Sequence, residues 1–160
     1  LVVIGCLTYF LHELAHLLAH LSLSHTVDFK INRMDLISPE KISEAWKQGW
    51  VSGSGAFFTF FQGIIAYKLL KKTSSLFWFN ILLSAFVLRF AAALLGLIKS
   101  SDEIKTSIAM GLPSYFWTSI VLGGLFFLLV KAKKQLNIPV KIVLGNFLIL
   151  LRSGRRHRLQ

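Results

Sequence analysis

Long apolar blocks alternate with short charged connections along the chain. The first block, residues 1–23, is broken by His12, Glu13, His16 and His20. A polar connection over 24–48 sets Asp28, Asp35, Glu40 and Glu44 against Lys30, Arg33, Lys41 and Lys47. The second block covers 50–67 and ends at Lys68; its Gly53, Gly55, Ala56 and Gly63, with Gly49 just before, would let another helix approach closely. The third block covers 76–98, a second polar connection 99–113, and the fourth block 114–130, where Pro113 is a natural helix start. The last apolar stretch, 138–151, is short and contains Lys141. A bilayer's hydrocarbon core of ~30 Å selects apolar runs of about 20 residues. The pattern therefore predicts an all-α protein, a polytopic transmembrane helix bundle of about four spans plus a short C-terminal re-entrant or interfacial helix.

Residues 38–48 are expected to form an amphipathic interfacial helix. Ser38 would be its N-cap and Pro39 would sit in its first turn, while Trp46 and Trp50 suit the headgroup boundary. One membrane-embedded domain is expected over 1–151, followed by a basic tail over 152–160. Repeats and low-complexity segments are absent from the sequence.

Composition changes this picture little. At 54% hydrophobic the chain is only mildly above soluble domains, so the distribution of apolar residues carries the membrane reading. The formal charge of +11 comes from 18 Lys and Arg against 7 Asp and Glu. The basic residues sit between and after the apolar blocks, at Lys68, Lys71 and Lys72, at Lys131, Lys133 and Lys134, and at Arg152, Arg155, Arg156 and Arg158. That placement suits positive-inside loops and contact with anionic lipid in the bilayer. No aromatic-basic module accompanies the charge, so nucleic acid is not an expected partner. Cys6 is the single cysteine, which excludes an intrachain disulfide and a thiolate metal cluster. Residue 1 is Leu, already inside an apolar run, which predicts a fragment or a processed form.

Chemistry is concentrated in the first block, where His12-Glu13-Leu14-Ala15-His16 forms an H-E-x-x-H motif. On a helix, positions i and i+4 share one face about one turn apart. Two imidazoles can then reach one zinc ion at about 2.0–2.1 Å. Glu13 lies beside such an ion rather than on it, placed as the catalytic base that takes a proton from water. An acid and two histidines in mid-membrane are costly unless paired, which weighs against a purely structural helix; the plainer alternative is a hydrogen-bonded polar seam. His20 is a turn further on, about 12 Å along the axis from His12, too far to join the same tetrahedral ion easily. It reads as a supporting or interfacial histidine, and His25 and His157 as solvated.

A third ligand must come from elsewhere, leaving one position for water. Asp102 is the leading candidate. If the second block spans, the first and third are parallel and their C-terminal ends share a side. A modest unwinding of the third block would bring Asp102 to the depth of the histidines, which is tolerated where backbone lines a protein cavity. Glu103 is the rival ligand, Asp28 and Asp35 are weaker ones, and a solvated turn before a short helix is the plain alternative for Asp102-Glu103. Arg89, inside the third block, reads as an interhelical contact, with snorkelling or pairing to Glu13 or a substrate carbonyl as alternatives. Asn80 and Gln62 can hydrogen-bond a substrate strand, water or another helix.

HELAH in a first transmembrane helix, the Gly-rich stretch GWVSGSGAFFTFFQG over 49–63 and a distal Asp together resemble the site-2 protease group of intramembrane zinc metalloproteases, in its uncharacterised bacterial branch. The resemblance covers about residues 5–113. It implies cleavage of membrane-embedded peptide segments by zinc-activated water, with His12, His16 and Asp102 as metal ligands and Glu13 as base. It also implies a multi-pass protein of a bacterial cytoplasmic membrane, whose partners are a membrane protein or peptide substrate and, for so small a chain, a membrane partner subunit or regulator. The family presents its third ligand as Asp-Gly, whereas Glu103 follows Asp102 here. A noncatalytic, protease-like membrane protein that binds metal or clients is the second reading; metal transport is third, because the second and fourth blocks offer almost no ligands.

Overall fold

A computed structural model describes residues 2–23, 27–30, 33–36, 44–98 and 101–137, with the single positions 139 and 145. Within these, helix α1 is Val2–Ser22, followed by a two-stranded antiparallel hairpin of β1, Val27–Lys30, and β2, Arg33–Leu36. Then come α2, Ala45–Thr73, α3, Leu76–Gly96, α4, Asp102–Ala109, and α5, Phe116–Leu136. The protein is an all-α helical bundle carrying this small hairpin. Three helices, α1, α3 and α5, are long and apolar enough to cross a membrane, which marks a membrane protein.

The turn between α2 and α3 is written in its serines. Ser74 adopts the left-handed conformation at φ 51° and its amide donates to Leu70 O at 2.8 Å, satisfying one carbonyl at the end of α2. Ser75 is extended, and its hydroxyl accepts from Phe77 N at 3.3 Å, which caps α3. So short a link makes α2 and α3 antiparallel neighbours. Asn137, also at φ 51°, closes α5 in the same way.

Pairs of touching residues fix the other directions. Thr8 meets Gln62, His12 meets Thr59 and His16 meets Val51, so α1 and α2 are antiparallel. Gly124 lies against Phe60, and Gln135 Nε2 donates to Lys71 O at 3.4 Å, so α5 runs parallel to α2. Lys71 and Lys72 therefore share one end of the bundle with Lys133 and Lys134. The buried apolar core lies toward that end, built by Ala66 and Leu70 of α2, Phe79, Leu82 and Leu83 of α3, and Leu125 and Leu129 of α5. The other half of the bundle is lined by hydroxyls, imidazoles and charges, and it is there that α1 packs.

Several sequence expectations land differently. The second block is part of one 29-residue helix beginning at Ala45, without a break between an interfacial helix and a span. Continuous backbone hydrogen bonding through Trp46 and Trp50 makes them the first turns of α2; the expected cap at Ser38 and Pro39 lies outside the described residues. The polar run Ser52, Gly53, Ser54, Gly55, Thr59, Gln62 keeps α2 out of the set of helices apolar enough to span by composition. The connection expected over 24–48 contains the hairpin, and that over 99–113 contains α4. Almost all of 138–151 and all of the basic tail 152–160 lie outside the described residues.

In lipid, helices associate through close packing rather than through apolar burial as such. A Cβ on Gly63 would run into Leu125, whereas one on Gly123 would meet nothing within 4 Å. Gly63→Val is expected to cost about 1–3 kcal/mol by overpacking and to lower the thermal denaturation midpoint in detergent. Gly123→Ala should be neutral or slightly stabilising. Equal midpoints for the two variants would contradict this packing of α2 on α5.

Candidate metal centre

The centre begins with two helical faces of matching period. His12 and His16 stand one turn apart on α1, and Val51, Gly55 and Thr59 stand one turn apart on the facing side of α2. Gly55 is what lets the faces meet: a Cβ there would overlap the ring of His12 and Nε2 of His16. The rings consequently lie against α2 backbone, buried to 3% exposure for His12 and 7% for His16.

Helix α2 then orients each ring. His16 Nδ1 donates to Val51 O at 2.7 Å, with Ser54 Oγ also 3.2 Å away. The hydroxyls of Ser54 and Thr59 donate to Val51 O and Gly55 O at 2.8 and 2.9 Å. Thr59 Oγ1 is therefore left to accept from His12 Nδ1, at 3.3 Å. This network assigns the proton of each neutral imidazole to Nδ1 and leaves both Nε2 lone pairs facing inward.

Those lone pairs meet each other and a carboxylate. His12 Nε2 and His16 Nε2 are 3.2 Å apart, and Asp102 Oδ2 is 3.6 Å from the first and 3.3 Å from the second. Three acceptors this close repel unless a cation lies among them. For metal bonds of about 2.0–2.1 Å, tetrahedral directions separate donor atoms by about 3.3–3.4 Å, close to the three edges found. His12, His16 and Asp102 thus form a group that could hold a metal ion, and the nitrogen and oxygen donors suit zinc. Asp102 brings the one carboxylate of the group. Its side chain is 36% exposed, so the group opens outward past Asp102.

Asp102 reaches the histidines by a different route from the unwinding expected of the third block. Helix α3 ends at Gly96, and Ser101 and Ile104 fold back against it, so that Asp102 opens the separate helix α4. Acids in a first turn are favoured by the helix dipole. Successive helical side chains diverge by about 100°, so Glu103 points away from the group. It is 2% exposed and pairs through Oε1 with Arg89 Nη1 at 3.0 Å. Arg89 joins α3 to α4 and also brings Nη2 to 3.4 Å from His12 Nε2.

Glu13 is half-buried and follows His12 directly on α1. His20 is buried and outside the group. Asp28 and Asp35 are paired across the hairpin register, while His25 and His157 lie outside the described residues. Gln62 donates to Thr8 Oγ1 at 3.2 Å, an interhelical bond. Thr59, Ser54 and the Val51 carbonyl are hydrogen-bonding neighbours of the histidines that sequence reasoning did not single out. The regular spacing Val51, Gly55, Thr59 opposite a two-histidine face was the available signal. Beyond them, an apolar cavity of about 650 Å³ is lined by Ser54, Phe57, Phe60, Glu103, Thr106 and Val121, among others.

No protein-family model, no curated protein and no solved structure matches this chain.

Thr59→Val keeps the shape of the side chain and removes the acceptor of His12 Nδ1. Loss of such an orienting partner typically weakens metal binding about 10–100-fold, to be read by chelator competition on the purified protein. Gly55→Ala should abolish binding, because the new methyl group takes the place of the rings. Full zinc affinity in Gly55→Ala would rule out this arrangement.

Proposed function

We propose that the chain is an intramembrane zinc metalloprotease that hydrolyses peptide bonds of membrane-embedded substrates. The observation that carries this reading is the inward-facing group of His12, His16 and Asp102, with Glu13 one residue after the first histidine. Zinc held there would supply Lewis acidity, acidifying water and polarising a peptide carbonyl.

The residues of the chain supply the rest. Val51 O and Thr59 Oγ1 hold the two imidazoles in the ligand tautomer. Asp102 completes the set and offsets positive charge. Glu13 takes the proton of the attacking water on its carboxylate and delivers it to the leaving amine. A helical substrate must unwind first, since its carbonyls are otherwise hydrogen-bonded within the helix. The apolar cavity beside Ser54 and Glu103 would suit apolar side chains of such an unwound segment. The parallel run of α2 and α5, with their lysines at one end, supports α2 as a fourth crossing in a multi-pass topology. The bacterial cytoplasmic membrane belongs to the same proposal through the resemblance of the motif.

The deciding experiment loads the purified protein with zinc and tests cleavage of a library of transmembrane peptides. Glu13→Gln should retain the metal and lose about 10²–10⁴-fold in rate. Asp102→Ala should lose both metal and cleavage. Cleavage at the wild-type rate by Glu13→Gln would exclude the mechanism. Zinc binding without cleavage of any peptide would favour the noncatalytic reading.

A further inference from the structure

Two cations border the centre: Lys105, half-exposed, has Nζ 3.9 Å from Asp102 Oδ1, and Arg89 is buried. The guanidinium of Arg89 is 5% exposed, deep in α3, and its position has two anchors. Nη1 is held by Glu103 Oε1 at 3.0 Å, and Nη2 lies 3.4 Å from His12 Nε2. Among the described residues Arg89 forms an ion pair with Glu103 and none with Asp102, so it approaches the group from the His12 side.

A ligand set gains nothing from this neighbour. A cation beside a metal site weakens metal binding by Coulomb repulsion, an effect magnified where the dielectric is low. Arg89 is also incompatible with its apparent acceptor once a metal is present, because the His12 Nε2 lone pair is then committed to the metal. Nη2 would be left as a buried N–H donor without an acceptor, beside the position a ligand oxygen must occupy. Arg89 Nε has no hydrogen-bond partner either, so the guanidinium has spare donor capacity. Buried donors require acceptors, and the acceptor that fits a cationic donor here is an anionic oxygen.

We propose that Arg89, held in place by Glu103, binds the anionic oxygen at this centre: a carboxylate in the resting site and, during peptide hydrolysis, the carbonyl oxygen under attack. As the water oxygen bonds to the carbonyl carbon, the π pair moves onto the carbonyl oxygen and Arg89 donates a hydrogen bond to it. The pair returns when the C–N bond breaks and the amine leaves with the proton from Glu13. Arg89 keeps its own protons throughout. The hydrolytic half rests on the protease reading; the carboxylate-binding half does not.

Two measurements separate these halves. Cobalt(II)-loaded protein in detergent is titrated with acetate and followed by its visible absorption, and peptide cleavage is measured on zinc-loaded protein. Removing Arg89 alone would strand the buried Glu103, so the main variant is Arg89→Met with Glu103→Met, an apolar pair in place of the ion pair. Arg89→Lys is the conservative companion. The expected result is acetate affinity at least about 10-fold weaker and kcat about 10²–10³-fold lower in the double variant, with cobalt affinity undiminished, and partial recovery in Arg89→Lys. Wild-type acetate affinity in the double variant would overturn the proposal. So would a parallel loss of cobalt affinity, which assigns Arg89 a structural role. Arg89-dependent acetate binding without cleavage by the wild type would reject the protease and leave the anion site standing.

Discussion

Three electron-pair donors pointing at one another inside an apolar bundle are the constraint on which the rest depends. Two Nε2 atoms 3.2 Å apart and a carboxylate oxygen 3.3 and 3.6 Å from them repel without a cation. Much of the surrounding structure can be understood as what holds them there regardless. Gly55 removes the side chain that would push the rings away, and Val51 O and Thr59 Oγ1 fix their tautomers. The return of the chain after Gly96 brings Asp102 back at the start of α4.

These requirements divide the bundle. Toward the lysine end, Leu70, Leu82, Leu83 and Leu125 are fully buried and pack α2, α3 and α5 as an ordinary apolar core. Toward the other end, buried positions are Thr8, Thr59, Arg89, Glu103 and Ser107, each costly to place in a membrane unless bonded. Helix α2 serves both halves. Its C-terminal half gives Ala66 and Leu70 to the core, and its N-terminal half trades hydropathy for small residues and hydroxyls, which is why it is less apolar than α1, α3 and α5.

Much of this was legible in the residues themselves. Apolar blocks gave the helices, and His12 and His16 at helical spacing gave one face of the centre, because both depend on local periodicity. The serine-rich turn at Ser74 and Ser75 is equally local. The continuity of α2 through Trp46 and Trp50 was not visible, since a polar start reads as a surface helix unless its packing on α4 and α5 is known. Sequence ranked Asp102 ahead of Glu103, and the group contains Asp102, but the physical reason for the difference was not visible. Both open the same helix, and only its rotation against α3 sends one to the histidines and the other to Arg89. Thr59 looked like one more small polar residue until its position opposite His12 gave it a task.

The attachment of α1 has a consequence of its own. Among the described residues it adds nothing to the apolar cluster of α2, α3 and α5, its one buried apolar side chain is Ala19, and its hydrogen bonds to α2 run through Thr8, His12, His16 and Ser22. Surrounding lipid is as good a solvent for its leucines as the protein is. A cation shared by two side chains of α1 and one of α4 is therefore also a cross-link. By linkage, whatever fills that position tightens the grip on the first helix, and whatever draws it away loosens the same joint.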